Sequence, residues 1–293
     1  MTAKLPSFAP KMILCPLDFS AASGTVLRWA RLFAETYKSK LELLDAEWSE
    51  YPPYFLPSQE EELTAKTQQR LATRGQELAK IARETLGPDL PAEIVILEGH
   101  PVETILERAI SRKPGLIVMG SHGRSGFTRL RLGSVAENVV RTTMTPTLVV
   151  RARANAPTVP RISRILCPIS FTDAARGCLE LSAELAGAFG AQLLVMHAIE
   201  DVGANLKARR EQFCQWVPSG VRSHCDLVEV VRQGNAAEQI LLFAREHAVD
   251  LIMLGAQHRP FFEFTILGTT TERVMRHADS AVLVVPRRSE PAA

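Results

Sequence analysis

Two glycine-rich segments in the chain have the composition of a binding site for a phosphate-like anion. Gly120-Ser121-His122-Gly123-Arg124 follows a short apolar run, and Gly133-Ser134-Val135 begins the next amphipathic segment, a spacing of Gly-x2-Gly-x9-Gly-Ser. Glycine lets the backbone approach a ligand closely, and a helix that begins at Gly133-Ser134 would turn free N–H groups toward an anion. Arg124 would add positive charge. The alternative is that residues 121–133 are a loop that only connects two elements, but loops as long as this one without a functional role are uncommon.

A carboxylate stands at a comparable place near the start of the chain. The first apolar run ends in Pro16-Leu17-Asp18-Phe19-Ser20, just before an amphipathic segment. In an open parallel sheet, ligands bind beyond the carboxyl ends of the strands, which is where this sequence places Asp18. Asp and Ser are also common helix N-caps, so a capping role for Asp18 or Ser20 stays open beside a ligand-binding one.

The sequence motifs of several common classes of enzyme and cofactor-binding protein are absent from this chain. The chain has no GxxxxGK[ST], no GxGxxG after the first predicted strand and no GxSxG, so the usual NTPase, dinucleotide and serine-hydrolase schemes do not apply. No general base is identifiable, and we predict no catalytic residue. His100, His122 and Cys15 lie near strand ends without a spacing that establishes a metal site. Cys15 and Cys167 occupy equivalent strand positions, where a buried and inert thiol is expected.

The elements that would position these residues occur twice. ILCPLDFS at 13–20 matches ILCPISFT at 165–172 in five of eight positions, with an offset of 152 residues. GHPVETIL at 99–106 matches GNAAEQIL at 234–241 with an offset of 135. A repeat of this length indicates two domain-sized copies. We expect domains at 1–151 and 162–293, joined by a proline-containing linker at 152–161.

Each copy alternates short apolar runs with longer amphipathic segments, which is typical of a parallel sheet buried on both faces. The predicted strands are Met12–Leu17, Leu41–Ala46, Ala92–Leu97, Leu116–Met119, Thr147–Val150, Ile165–Ile169, Leu193–Ala198, Asp226–Val231, Leu251–Leu254 and Val282–Val285. The predicted helices of the first copy are Ser20–Tyr37, Glu60–Leu86, Val102–Arg112 and Ser134–Thr143. The fold class is therefore α/β, with two tandem doubly wound domains that each hold a five-stranded parallel sheet.

The overall composition argues against nucleic-acid binding, a membrane span and a disulfide framework. The 293 residues are 46% hydrophobic and 23% charged, with a net charge of +2, so the chain lacks the basic excess of a dedicated nucleic-acid binder. It contains no run of eighteen apolar residues, so we expect no membrane span. Five dispersed cysteines without a CxxC motif argue against a disulfide framework, and the cytoplasm is the expected compartment.

These features together resemble the universal stress protein family, and the resemblance covers nearly the whole chain. It rests on Asp18, on Gly99, on the glycine motif at 120–134 and on a final TPTLVV strand. The resemblance implies a universal stress protein-like (HUP) fold and an adenine nucleotide such as ATP as ligand, with Mg left open. Asp18 and the backbone at Ala46 would hold the adenosine, and the glycine motif the phosphates. The implied cofactor-binding residues are Pro16, Leu17, Asp18, Ala46, Met119, Gly120, His122, Gly123, Arg124, Gly133, Ser134 and Val135.

The second copy departs from this pattern at two positions. Ser170 stands where the first copy has Asp18, and His258 stands where it has Gly123, whereas Gly255, Gly268 and Thr269 keep the outer positions of the motif. A histidine there would crowd a phosphate path that relies on glycine. We therefore expect one nucleotide per chain, in the first copy, and a degenerate second site. The weaker alternative is that His258 donates a hydrogen bond to a phosphate.

A 17-residue insertion in the first copy follows the second strand, between residues 47 and about 64. It includes Trp48 and the run YPPYFLP at 51–57. A packed loop that covers its own apolar residues and a lid or partner surface on the ligand side both fit this composition.

The expected function is a stress-response protein regulated by an adenine nucleotide. A nucleotide-free scaffold with an unknown protein partner, and a slow ATPase or self-phosphorylating protein with Ser134 nearest the phosphates, are the alternatives. The resemblance also implies that TPTLVV and SAVLVV pair edge to edge inside one chain as an internal pseudo-dimer, which protects two strand edges. The resemblance does not determine whether two chains also associate as a homodimer.

Overall fold

Strands and helices alternate through the part of the chain that the computed structural model describes. The described residues are 8–48, 57–122, 132–152, 159–201, 203, 205–256 and 268–286. The strands are β1 Met12–Leu17, β2 Lys40–Glu47, β3 Ala92–Glu98, β4 Leu116–Gly120, β5 Thr147–Val150, β6 Arg164–Pro168, β7 Gln192–Ile199, β8 Leu227–Gln233, β9 Leu251–Ala256 and β10 Ala281–Pro286. The helices are α1 Ser23–Tyr37, α2 Pro57–Leu86, α3 Pro101–Arg112, α4 Ser134–Thr142, α5 Asp173–Phe189, α6 Leu206–Trp216, α7 Ser219–Arg222, α8 Ala236–Glu246 and α9 Thr269–His277.

All ten strands form one sheet in the order β3-β2-β1-β4-β5-β10-β9-β6-β7-β8. Every neighbouring pair is parallel except β5 and β10, so the sheet consists of two five-stranded parallel halves. One apolar cluster lies under α1, α2, α5 and α6, and a second lies under α3, α4, α8 and α9. Burial on both faces explains the nearly all-apolar strands and confirms the predicted fold class. Within the described ranges, no helix is both long enough and apolar enough to cross a bilayer.

The two halves meet through their last strands, as the family resemblance implies. Val282 pairs with Val149 and Leu283 with Leu148 in antiparallel register. Because β5 and β10 would otherwise each expose an open sheet edge, this pairing satisfies the backbone groups of both.

An ion-pair cluster also joins the two halves, on the face of the sheet that α4 and α9 cover. Arg141 of α4 contacts Glu272 of α9 at 3.1 Å, and Arg276 of α9 contacts Glu137 of α4 at 3.3 Å. Each arginine also pairs with the glutamate four residues earlier on its own helix, at 2.7 and 2.6 Å. The four side chains occupy equivalent repeat positions, so the cluster follows the pseudo-twofold relation between the halves.

The pairing of β5 with β10 and the ion pairs between α4 and α9 predict that the two halves stay together when the linker between them is cut. A protease site placed after Arg153 should give a cleaved chain that elutes from a sizing column as one particle of the uncut size, since the strand pairing and the ion pairs do not need the linker. Cleavage products that separate into folded halves at micromolar concentration would contradict the internal pseudo-dimer.

The segment between β1 and α1 differs from the sequence prediction. Helix α1 begins at Ser23, three residues later than expected, and Phe19 in the preceding turn adopts a left-handed φ of 60°. Asp18 Oδ1 accepts a hydrogen bond from the Ser20 amide at 3.0 Å, and Ser20 Oγ accepts one from the Ala22 amide at 3.3 Å. Neither side chain caps α1, whose N-cap is Ala22. The alternative of a helix-capping role for Asp18 or Ser20 is therefore wrong.

Candidate functional site

A cavity of about 350 Å³ opens where β1, β2 and β4 end and where α1, α3 and α4 begin. Ten of the predicted site residues line it, namely Pro16, Leu17, Asp18, Ala46, Met119, Gly120, His122, Gly133, Ser134 and Val135. Gly123 and Arg124 lie outside the described residues. The position is the one that the general rule for open parallel sheets predicts.

One end of the cavity is the beginning of α4. The Gly133 amide donates to the Ser121 carbonyl at 2.7 Å, which holds the start of this helix against the end of β4. Within the described residues no side chain caps α4, and Ser134, Val135 and Ala136 of its first turn line the cavity. First-turn amides lack partners inside their own helix and lie at the positive end of its dipole. This end of the cavity therefore suits an anion.

Gly120 brings the end of β4 close to α1. A Cβ atom at this position would lie 3.0 Å from the Ala22 Cβ and 3.3 Å from the His122 carbonyl oxygen. A side chain larger than hydrogen would therefore need its neighbours to move and would enter the cavity.

The opposite wall of the cavity carries carboxylates. Asp45 and Glu47 of β2 line it with Asp18, and Asp45 is only 1% exposed. Arg74 of α2 binds both oxygens of Asp45, at 2.5 and 2.7 Å, and lies over the Phe19 ring at 4.7 Å from its centroid. Arg70 of α2 contacts Glu47 at 2.8 Å. Helix α2 thus neutralises the β2 carboxylates and holds the turn that follows Asp18.

His122 follows the end of β4, beside the beginning of α4, and lines the cavity. Its Nδ1 is 2.8 Å from the Ser121 hydroxyl, and its buried Nε2 has no hydrogen-bond partner in the described part of the chain. Burial, and next the positive charge of Arg151, lower the pKa of His122 from its usual value. A neutral imidazole adds no charge to the site.

The lowered pKa of His122 predicts a loss of stability in mild acid. An unfolded histidine takes up a proton near pH 6.5, whereas the folded site resists it, so the free energy of unfolding should fall as pH drops below that value. His197, whose pKa is also lowered, acts in the same direction, so the comparison must be between wild type and a variant. Denaturant unfolding from pH 7.5 to 5 should show a smaller fall for His122→Gln. An equal fall in both proteins would contradict the assignment.

Sequence reasoning assigned no ligand contact to Asp45, Glu47 or Trp48, which are among the further residues that line the cavity. Alternation along β2 places Asp45 and Glu47 on one face of the strand. That pattern was available in the sequence, but their arginine partners, Arg74 and Arg70, lie on α2, and only the fold brings the pairs together. The aromatic residues that follow Trp48 at 49–56 lie outside the described residues, so the choice between a lid and a packed loop stays a prediction.

The thiol predicted to be inert is buried in the middle of the sheet. Cys15 is fully buried, and its burial, with a smaller contribution from the charge of Glu42, raises its pKa well above the usual value. Its repeat equivalent Cys167 is also buried and unpaired. Among the described residues, no cluster of three His, Cys, Asp or Glu side chains could hold a metal ion.

The second half retains a cavity of about 730 Å³ at the equivalent place. Ser170, Gly255 and Gly268 line it, but His197 replaces Asp45 and Glu200 replaces Trp48. His197 Nδ1 is 3.1 Å from the Ile169 carbonyl oxygen, to which it can only donate, so Nε2 is the acceptor of the neutral ring. His258 lies outside the described residues. The expectation that this copy holds no nucleotide stays a prediction, and the structure adds that space for a ligand persists there.

Comparison with known proteins gives one consistent family. The family model described as the universal stress protein family matches residues 10–151 and 221–286. A universal stress protein of Mycobacterium tuberculosis is 30% identical over 224 residues, which are 72% of this chain and 74% of the relative. One from Methanocaldococcus jannaschii is 42% identical over 84 residues, 28% of this chain, and that match spans about half (48%) of the relative's own length.

Solved structures support the same fold. A universal stress protein from Archaeoglobus fulgidus aligns with a TM-score of 0.70 and 22% identity, covering 95% of this chain and 99% of that one, which shows a shared fold. A universal stress protein solved in complex with cAMP aligns with 50% of this chain and 99% of that one, at 26% identity and a TM-score of 0.36. That similarity is too low to indicate a ligand for this chain.

Proposed function

The chain belongs to the universal stress protein family, and on that premise we propose that its first half binds ATP or a related adenine nucleotide. The nucleotide acts as the signal for a regulatory module of the stress response. We place this module in the cytoplasm, where reducing conditions suit its five unpaired cysteines. The proposed domain boundaries are 1–151 and 162–293, joined by the linker at 152–161.

One observation carries the proposal: a single cavity is lined both by Asp18 and by the uncapped first turn of α4. A carboxylate accepts hydrogen bonds from ribose hydroxyls, and bare amides at a helix N-terminus donate to phosphate oxygens. Ala46 lies near the end of β2, on the other side of β1 from β4, and offers main-chain atoms for the edge of the base. The residues present therefore fit the two chemically different ends of a nucleotide.

The charges of the lining fix the direction in which such a ligand lies. Asp18, Asp45 and Glu47 stand on the β1 and β2 side, and the described lining residues include no lysine or arginine. The dipole of α4 attracts phosphates, whereas the β2 side, where Arg74 and Arg70 of α2 pair with Asp45 and Glu47, presents no comparable positive end among the described lining residues. The base and ribose therefore lie toward β2 and the phosphates toward Ser134, within reach of the segment that contains Gly123 and Arg124.

Mass spectrometry of the small molecules released when the purified chain is denatured tests the proposal. An adenine nucleotide in near-stoichiometric amount supports it, and incubation with ATP in the presence and absence of Mg²⁺ before desalting shows whether the metal accompanies the phosphates. A chain that releases no nucleotide and takes up neither ATP, ADP nor cAMP would contradict it and favour the nucleotide-free scaffold. Conversion of bound ATP to ADP, or phosphate on Ser134, would identify the slow enzyme instead.

A further inference from the structure

Trp48 places a large aromatic ring at the mouth of the first cavity. It follows β2 directly, two residues after Ala46, and lines the cavity. It is 56% exposed, although most large apolar side chains in the described residues are buried. Since a ring of this size gains free energy when its surface is covered, a ligand in the cavity would find an apolar face already in place.

The surroundings of Trp48 hold this ring in position. The His100 ring meets the indole edge to face, with 5.4 Å between centroids. The Gly99 amide donates to the Glu47 carbonyl at 3.0 Å, which fixes the loop carrying His100 against the end of β2. Gly99 has a φ of 152°, and a Cβ there would lie 2.7 Å from Thr104 Oγ1 of α3, so the turn that leads from β3 through His100 into α3 depends on glycine.

The second half lacks both members of this aromatic pair. Glu200 occupies the position of Trp48, and Asn235 that of His100. Glu200 Oε1 accepts a hydrogen bond from the Ala236 amide at 2.8 Å, so its side chain serves the beginning of α8. The exposed indole thus belongs only to the half that keeps Asp18 and the complete glycine motif.

We propose that the indole of Trp48 stacks on the base of the bound nucleotide and selects ligands that carry an aromatic base. The inference rests on the proposed function and deepens it, because it assigns the base-recognition contact of the same site. The α4 dipole draws the phosphates toward Ser134 and leaves the base on the β2 side of the cavity, beside Trp48. Stacking between a base and an aromatic side chain, measured by truncation, corresponds to a change in affinity of about fivefold to a hundredfold.

Titration of the full-length chain with ATP, followed by calorimetry, tests this assignment with Trp48→Leu and Trp48→Phe. Leucine keeps an apolar cover but no π-face, so we expect its dissociation constant to rise at least about fivefold, whereas phenylalanine should stay within about threefold of wild type. Trp216→Phe in the second half is the matched control and should bind as wild type does. Tryptophan fluorescence should be quenched by ATP in wild type and in Trp216→Phe, but not in Trp48→Phe.

The outcomes distinguish a failure of the Trp48 stacking contact from a failure of the proposed nucleotide binding. Wild-type affinity in Trp48→Leu would overturn the stacking contact while leaving nucleotide binding intact. Equal losses in the leucine and phenylalanine variants would also overturn it, since they would indicate a structural role. A wild-type chain that binds no nucleotide would overturn the proposed function itself and the base contact with it. Thermal unfolding of each variant shows that the fold is preserved.

Discussion

Replacing Asp18 with alanine lowers the affinity for ATP about ten- to a hundredfold in our account. The change removes a charged acceptor from the cavity, and a hydrogen bond to a charged group contributes about 1.5–3 kcal/mol. It also removes the bond from the Ser20 amide to Asp18 Oδ1, which should reduce the free energy of unfolding by about 1 kcal/mol. Nucleotide titration and thermal unfolding of the same variant measure the two effects separately.

Asp18→Asn distinguishes ligand binding from support of the turn. The amide oxygen of asparagine can still accept from the Ser20 amide, so stability should be retained, while the loss of negative charge should weaken ribose binding. Ser170→Ala in the second half is the control and should leave ATP affinity unchanged. If Asp18→Ala loses stability but binds ATP as wild type does, Asp18 serves only the turn between β1 and α1.

The largest effect on stability is expected at Glu42, which is completely buried on β2. Arg108 of α3 binds both of its carboxylate oxygens, at 2.6 and 3.1 Å, and Arg112 binds it at 2.8 Å. Removing both guanidinium groups leaves a buried charge without compensation, which typically costs about 3–5 kcal/mol. The double variant Arg108→Ala, Arg112→Ala should lose stability by about that amount in denaturant unfolding at pH 7.

The second half of the same chain supplies the control for this prediction. Leu194, Phe243 and His247 occupy the positions of Glu42, Arg108 and Arg112, and Leu194 and Phe243 belong to a buried apolar cluster. Transplanting all three into the first half replaces the ion pairs with apolar packing, which is often neutral or stabilising. We expect the triple variant to unfold within about 1 kcal/mol of wild type. A double variant that is equally stable would show that Glu42 does not need its arginines.

The strands and the helices of the first copy could be predicted because a buried parallel sheet leaves a strong signal in sequence. Met12–Leu17 and Thr147–Val150 have the predicted bounds, and the pairing of β5 with β10 is the one that the family resemblance implied. The repeat made the prediction stronger, because each half gave an independent view of the same elements. The start of α1 was placed too early because the sequence does not show that the Asp18 and Ser20 side chains bond the amides of a turn over residues 18–22.

Contacts between distant segments explain what the sequence could not provide. The pairing of Asp45 with Arg74 joins β2 to the middle of α2, and no local pattern marks those two residues as partners. The ring of Trp48 was visible as part of an aromatic insertion, but its place at the cavity mouth follows from the loop that Gly99 and Glu47 hold together. The roles of Gly123, Arg124 and His258 stay predictions from the motif, since these residues lie outside the described ranges.

Calorimetric titration of the wild-type chain with ATP tests the central claim most directly, because it reports both binding and the number of sites. The intact motif in the first half, with Ser170 and Glu200 replacing Asp18 and Trp48 in the second, predicts one site per chain. The same single site should persist when Ser170 and His197 of the second cavity are changed to alanine. A titration that shows two equal sites, or no site at all, would contradict the account.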